Sequence, residues 1–257
     1  MSVDKVVGTP ADAVADIPDG SSLAVGGFGL AGIPWFLIEA LLEQGARDLT
    51  VVSNNCGVDG AGLGLLLEQG RISRVVASYV GENKEFARQY LAGELRVELT
   101  PQGTLAERLR AGGAGIGAFF TPTGVGTLVA DGGLPWQYHP DGTVAVASPP
   151  KEVRTIGGRE MVLEEAIVTD VALVRAAVAD RAGNCVFHAA ARNFNPVAAT
   201  AGRLTIVEAE QVVETGSLAP DSVHLPGVFV QRVVPLTPEQ AARKSIEKRT
   251  TRPRPEA

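Results

Sequence analysis

Three short polar stretches carry the residue types that could do chemistry. The first lies in "DGSSLAVGGFGLAGIP", where Gly26, Gly27, Phe28 and Gly29 follow a run of apolar residues. Backbone stripped of side chains there lets N–H groups meet a ligand oxygen at close range, whether a phosphate or a developing oxyanion. The second is "SNN", Ser53 to Asn55. The amides of Asn54 and Asn55 can hold a carboxylate or a thioester carbonyl without adding charge, and they serve equally well as turn or cap residues. The third is "TPQG", which sets Gln102 between Pro101 and Gly103 on a constrained turn.

Other candidates are weaker. Gly27 to Gly32 spells the letters of a dinucleotide-binding G-x-G-x-x-G, but Pro34 and Trp35 follow, and the next strand ends in "SNN" instead of an acidic residue for a ribose. Glu82 in "GENKEF" follows a strand, yet an acid at that place suits the first turn of a helix. Cys56 has no neighbouring cation in sequence to lower its pKa, and neither it nor Cys185 sits in a metal-ligand spacing. His139, His188 and His224 are scattered, so neither a metal site nor a Ser–His–Asp arrangement is argued.

These stretches need a scaffold. "SSLAVGGFG", "DLTVVSNN", "ISRVVASYVG" and "LRVELTPQG" read as strands, and "PWFLIEALLEQGA", "GLGLLLEQG", "NKEFARQYLAGE" and "TLAERLRAGGAG" as helices. Pro34 suits a first helical turn and Gly45 a stop. Thr104 with Glu107 three residues on spells a capping box. Strand–helix alternation over the first 130 or so residues predicts an α/β fold with a mostly parallel sheet covered by helices. In such sheets ligands sit beyond the carboxyl ends of the strands, so the three polar stretches should share one edge. The stretch "TPTGVGTLVADGGLPWQYHPDG" reads as an irregular excursion near 115 to 160. Strands and one helix are expected from the later pieces, with "DRAGN" as a turn.

The chain has 257 residues, 45 % hydrophobic, with 30 glycines and a formal net charge of −6. That charge opposes a nucleic-acid-binding body. No apolar run of about 18 residues could span a bilayer, and the first residues lack a secretory pattern. A cytoplasmic protein with reduced thiols is expected. Residues 1–240 read as one domain. Residues 241–257 read as a basic, flexible tail, with six Lys or Arg against two Glu from position 242 onward.

Taken together, these stretches resemble the family I coenzyme A transferases, and within them the alpha subunits of 3-oxoacid CoA-transferases. The resemblance rests on "DGSSLAVGGFGLAGIP", "SNNCGVDGAGLGLLLEQGRI", "SYVGENKEFARQYLAGELRVELTPQGTLAERLRAGGAGI", "FFTPTGVGTLV" and "LVRAAVADRAGNCVFHAAARNFN", from about Asp19 to about Val234. It implies the NagB/RpiA-like form of the α/β fold and a ping-pong transfer. In that reaction a glutamate attacks an acyl-CoA to give an acyl anhydride, and CoA thiolate then attacks the glutamyl carbonyl to give an enzyme–CoA thioester. The family's nucleophile stands in a Ser-Glu-Asn-Gly motif of the beta subunit, and this chain has no "SENG". The resemblance therefore implies no nucleophile here, a beta-subunit partner (an α2β2 assembly), coenzyme A as substrate and no separate cofactor or metal. It implies that Gly26, Gly27, Phe28, Gly29, Asn54, Asn55, Gln102 and Gly103 bind substrate or CoA. Succinyl-CoA and acetoacetate of ketone-body metabolism are the expected substrates. A 3-oxoadipate enzyme of aromatic degradation and a non-catalytic metabolite-binding homologue are the alternatives. Trp35 departs from the polar or acidic residue usual after "GIP".

Overall fold

The computed structural model describes residues 3–81 and 83–244. Glu82 and the tail from residue 245 lie outside the described residues. The main sheet holds β1 (Ser22–Val25), β2 (Leu49–Val52), β3 (Ile72–Ala77) and β4 (Arg96–Leu99) on one side of the chain's path. On the other side stand β10 (Thr169–Asp180), β12 (Gly202–Val213) and β13 (Arg232–Pro235), in the order β13-β12-β10-β1-β2-β3-β4. All these neighbours run parallel. The short β11 (Cys185–Val186) pairs antiparallel with β10.

The alternation of strand side chains explains the two-faced core. Leu23, Val25, Val51, Val75, Val97 and Leu173 point to one face, against α1 (Pro10–Val14), α2 (Trp35–Gln44), α3 (Gly64–Glu68) and α4 (Lys84–Leu91). Ala24, Val52, Val76, Val174 and Val207 point to the other, against α5 (Gln102–Gly113) and α7 (Asn195–Ala201). Strands buried on both faces must be apolar at nearly every position, which is why they read as continuous hydrophobic runs.

The excursion is more regular than expected. It forms a three-stranded antiparallel sheet of β5 (Ala118–Thr121), β8 (Val153–Ile156) and β9 (Arg159–Glu165), and a separate hairpin of β6 (Pro135–Tyr138) and β7 (Val144–Ala147). Only the short α6 (Leu128–Asp131) interrupts it. β8 is exposed along its whole length, so its sequence lacks the apolar signature of the main sheet. The stretch from Glu160 to Asn184 contains two strands and no helix; the later helix is α7, opened by Pro196 in its first turn.

The capping box at Thr104 is not formed. Pro101, with φ −52°, sets the entry to α5, which therefore opens at Gln102. Thr104 falls inside the first turn, where its buried Oγ1 has no hydrogen-bond partner among the described residues. Glu107 pairs instead with Arg110 at 2.6 Å. Pro34 stands just before α2, and Gly45 ends it in the left-handed conformation. The first residues of the basic tail pack on the body: α8 (Pro238–Ala241), the last helix among the described residues, leads to Arg243 and Lys244, which pair with Glu39 and Glu210. No described helix is long and apolar enough to cross a membrane.

Candidate active site

Because β1, β2 and β4 are parallel members of one sheet, the segments that leave them emerge on the same edge. Gly26 to Gly29 follow β1, Ser53 to Asn55 follow β2, and Thr100 to Gly103 follow β4. Side chains stitch them together. Ser53 Oγ donates to the Val25 carbonyl at 2.9 Å. Gln102 Nε2 donates to Asn54 Oδ1 at 2.7 Å across the end of β3, and Ser78 Oγ donates to the same oxygen at 3.0 Å. With Oδ1 engaged twice, Asn54 is fixed in one orientation, and no described residue accepts from its Nδ2. Asn54 and Asn55 are buried, while Gln102 and Gly103 are exposed. Asn55 Nδ2 donates to the Gly57 carbonyl at 3.3 Å.

Two of the glycines are dictated by crowding. A Cβ on Gly26 would lie 2.0 Å from Asn195 Oδ1, and one on Gly27, where φ is +109°, would lie 2.4 Å from Ile33 Cγ2. Phe28 and Ala31 then exchange backbone hydrogen bonds at 3.0 Å, closing a tight turn that leaves the Phe28 ring half exposed. The same design recurs 30 positions on. Gly57 to Gly62 reads "GVDGAG" beside "GFGLAG", and Val58 and Ala61 make the matching bridge. Asp59 of that second turn accepts from the Lys84 and Glu85 amides at the head of α4. Asn83 caps the same helix and donates to the Cys56 carbonyl at 2.9 Å.

The wall behind the first turn is built from residues that the sequence did not single out. Asn195, fully buried, donates to the carbonyls of Gly32 and Ala191 at 2.9 and 2.8 Å and accepts from the Arg175 amide at 3.1 Å. Arg175 on β10 and Glu208 on β12 face each other in register, with Nη1 to Oε1 at 3.3 Å. The other Glu208 oxygen accepts from the Phe36 and Leu37 amides at 2.9 and 3.0 Å. Burial pushes the Glu208 carboxyl up to about 7, against the opposing pull of Arg175 and of those amides. The head of α2 is thus already occupied by a carboxylate, which removes the anion site a dinucleotide would use. Charged residues inside the apolar runs "LVRAAV" and "IVEAEQ" were the signal for this pair.

Cys56, next to Asn55 in sequence, is fully buried in the apolar core, and burial pushes its thiol up to about 12. It packs as a small apolar residue. Among the described residues no group of three His, Cys, Asp or Glu side chains is placed to hold a metal.

A mostly parallel, two-faced sheet with bared backbone and amides at its carboxyl edge fits an enzyme that handles acyl groups. The family model for coenzyme A transferase matches residues 7–235, and the chain belongs to that family. It is 65 % identical over 250 residues to the A subunit of the probable succinyl-CoA:3-ketoacid coenzyme A transferase of Mycobacterium tuberculosis, covering 97 % of this chain and all of that one. It is 54 % identical over 230 residues to the human mitochondrial succinyl-CoA:3-ketoacid coenzyme A transferase 2. That match covers 90 % of this chain and 44 % of the human one, so the chain spans under half the human protein's length. An acyl-CoA transferase of Escherichia coli O157:H7 shares the fold, with a TM-score of 0.76 at 25 % identity over 92 % of this chain and 48 % of that one.

Proposed function

We propose that this chain is the A, or alpha, subunit of a succinyl-CoA:3-oxoacid CoA-transferase and furnishes half of an active site shared with a B subunit. The observation that carries the reading is the Gln102–Asn54 amide pair beside the Gly26–Gly29 turn: among the described residues, the groups gathered at this edge are amides and bared backbone. Such groups can hold a carbonyl and stabilise negative charge on its oxygen. Amides and backbone N–H groups do not supply the carboxylate oxygen that attacks the thioester. The names of relatives at 54 to 65 % identity support the substrates and the division into subunits.

In this account a glutamate of the partner attacks the succinyl-CoA carbonyl, and the carbon–sulfur bond breaks to leave an acyl anhydride and CoA thiolate. The thiolate attacks the glutamyl carbonyl, releases succinate and leaves a glutamyl–CoA thioester. The 3-oxo acid reverses both steps and departs as its CoA ester. Coenzyme A is therefore a substrate, and no further cofactor is invoked. Each tetrahedral intermediate carries an oxyanion. The exposed amide of Gln102 is held by Asn54 where it can meet that charge, and a preformed donor needs no reorganisation as the charge develops. The buried Asn54 and Asn55 and the turn at Gly26, Gly27, Phe28 and Gly29 exclude water from the anhydride, and Gly103 leaves room for the thioester. Phe28, Tyr79 and Leu99 stand exposed on this edge, at 48, 59 and 42 %, an apolar rim that suits docking of the partner polypeptide. An α2β2 assembly in the cytoplasm completes the proposal.

The test is reconstitution. This chain and its partner, co-purified, should convert succinyl-CoA and acetoacetate to acetoacetyl-CoA, while either chain alone is inactive. Full activity from this chain alone would end the split-site reading. A parallel assay with 3-oxoadipate decides the acid.

A further inference from the structure

Two features singled out in the sequence, Trp35 and the start of the basic tail, touch one another. The Arg243 guanidinium lies 4.8 Å from the centre of the Trp35 ring and 5.5 Å from that of Phe36, and its Nη1 pairs with Glu39 Oε1 at 2.6 Å. All three partners lie on the first two turns of α2. Under Arg243, Trp35 is only 6 % exposed. The segment reaches this place along a fixed path. Leu236 N donates to the Ala209 carbonyl at 2.9 Å, Thr237 and Gln240 form a reciprocal cap, and Arg175 Nη2 donates to the Ala241 carbonyl at 3.1 Å. Lys244 Nζ meets Glu210 Oε2 at 2.6 Å.

The same Arg175 holds Glu208, whose other oxygen takes the Phe36 and Leu37 amides. The head of α2 is therefore gripped from inside by Glu208 and from outside by Arg243. Only Ile33 and Pro34 separate that helix from Gly32, the last residue of the glycine turn. Asn195, hydrogen-bonded to the Arg175 amide and to the Gly32 carbonyl, ties the turn to the same hub.

We propose that residues 237–244 are a strap that positions the glycine turn, with Arg243 as the positioning residue and Trp35 as its seat. Trp35 offers the guanidinium an aromatic face, and the basic residue at position 243 meets both that face and Glu39. The strap acts on α2, and α2 on the turn; Arg243 itself touches no substrate. Its catalytic consequence rests on the function proposed above, but its structural consequence does not.

The experiment compares wild type, Arg243→Ala and Arg243→Lys as full-length chains in complex with the partner. Hydrogen exchange is followed at the hydrogen-bonded Phe28 and Ala31 amides and at core amides of β10 and β12. The account predicts exchange at the turn about threefold to tenfold faster in Arg243→Ala, a loss of the size expected when a cation–π contact and its ion pair disappear. Core amides should not change, kcat should fall with KM for succinyl-CoA nearly constant, and Arg243→Lys should recover part of both effects. Unchanged exchange at the turn, or an equal rise across β10 and β12, would overturn the strap. If the complex transfers CoA to no 3-oxo acid, the functional proposal fails and the exchange result still decides the strap.

Discussion

Alanine at position 26 would place a methyl carbon 2.0 Å from Asn195 Oδ1, 2.7 Å from its Cγ and 3.0 Å from its Cα. Two of those atoms belong to a side chain that cannot swing away without loss. Asn195 is fully buried and engages the Gly32 carbonyl, the Ala191 carbonyl and the Arg175 amide. Displacing it abandons three hydrogen bonds worth about 0.5–1.5 kcal/mol each, and leaving their partners buried adds to that. Overpacking costs about 1–3 kcal/mol more. Gly26→Ala should therefore destabilise by roughly 3–6 kcal/mol, a large part of the 5–15 kcal/mol that holds an ordinary domain together. Gly29→Ala is the control. Its φ is +60° but a Cβ there meets nothing within 4 Å, so only the left-handed backbone cost of about 1–2 kcal/mol applies. Denaturant titration at neutral pH measures both. Asn195→Ala breaks the same three bonds, so the Gly26→Ala/Asn195→Ala double variant should lose clearly less than the sum of the singles. A Gly26→Ala loss no larger than that of Gly29→Ala would refute the reasoning, because crowding by Asn195 would then not be what excludes a side chain.

Gln102→Ala should lower kcat of the reconstituted complex by about 100-fold, the usual cost of one oxyanion donor. Because Gln102 is exposed, its stability should change by less than about 1 kcal/mol; an unaltered kcat would remove it from the site. Glu208, raised from 4.5 to about 7 in the folded chain, stabilises the fold most below pH 4.5 and loses that contribution as pH climbs through 7. Glu208→Gln does not titrate, so its stability relative to wild type should improve between pH 4.5 and 7, whatever constant penalty comes from stranding Arg175. A pH-independent difference would show that burial does not hold the proton. Cys56 and Cys185, both buried with thiols pushed up to about 12, should resist iodoacetamide in the native protein and react on unfolding, as intact-mass measurement would show.

The strands β1 to β4 and the helices between them were legible because each rule of local chemistry agreed. Apolar runs such as "LAVGG" and "LTVV" are long enough for buried parallel strands, and Gly45 punctuates α2. That agreement also put Asn54 and Gln102 on one edge before any distance was known. The antiparallel excursion was less legible, since β8 and much of β7 face solvent and their glycine- and proline-rich joints look like loop. The Thr104 box failed because the proline three residues earlier imposed its own start on the helix. The wall behind the turn was the hardest part to read. Glu208 reaches α2 amides about 170 positions away, and Asn195 sits in a segment whose local signal is a turn. Only the β10–β12 register brings Arg175 opposite Glu208, and no local rule specifies which strands pair.

The most direct measurement is the mass of each polypeptide once the complex has been mixed with succinyl-CoA alone and quenched. The account predicts that the added mass of coenzyme A, removable by hydroxylamine or borohydride, appears on a glutamate of the partner and never on this chain. Coenzyme A carried by a glutamate of this chain during turnover would contradict it.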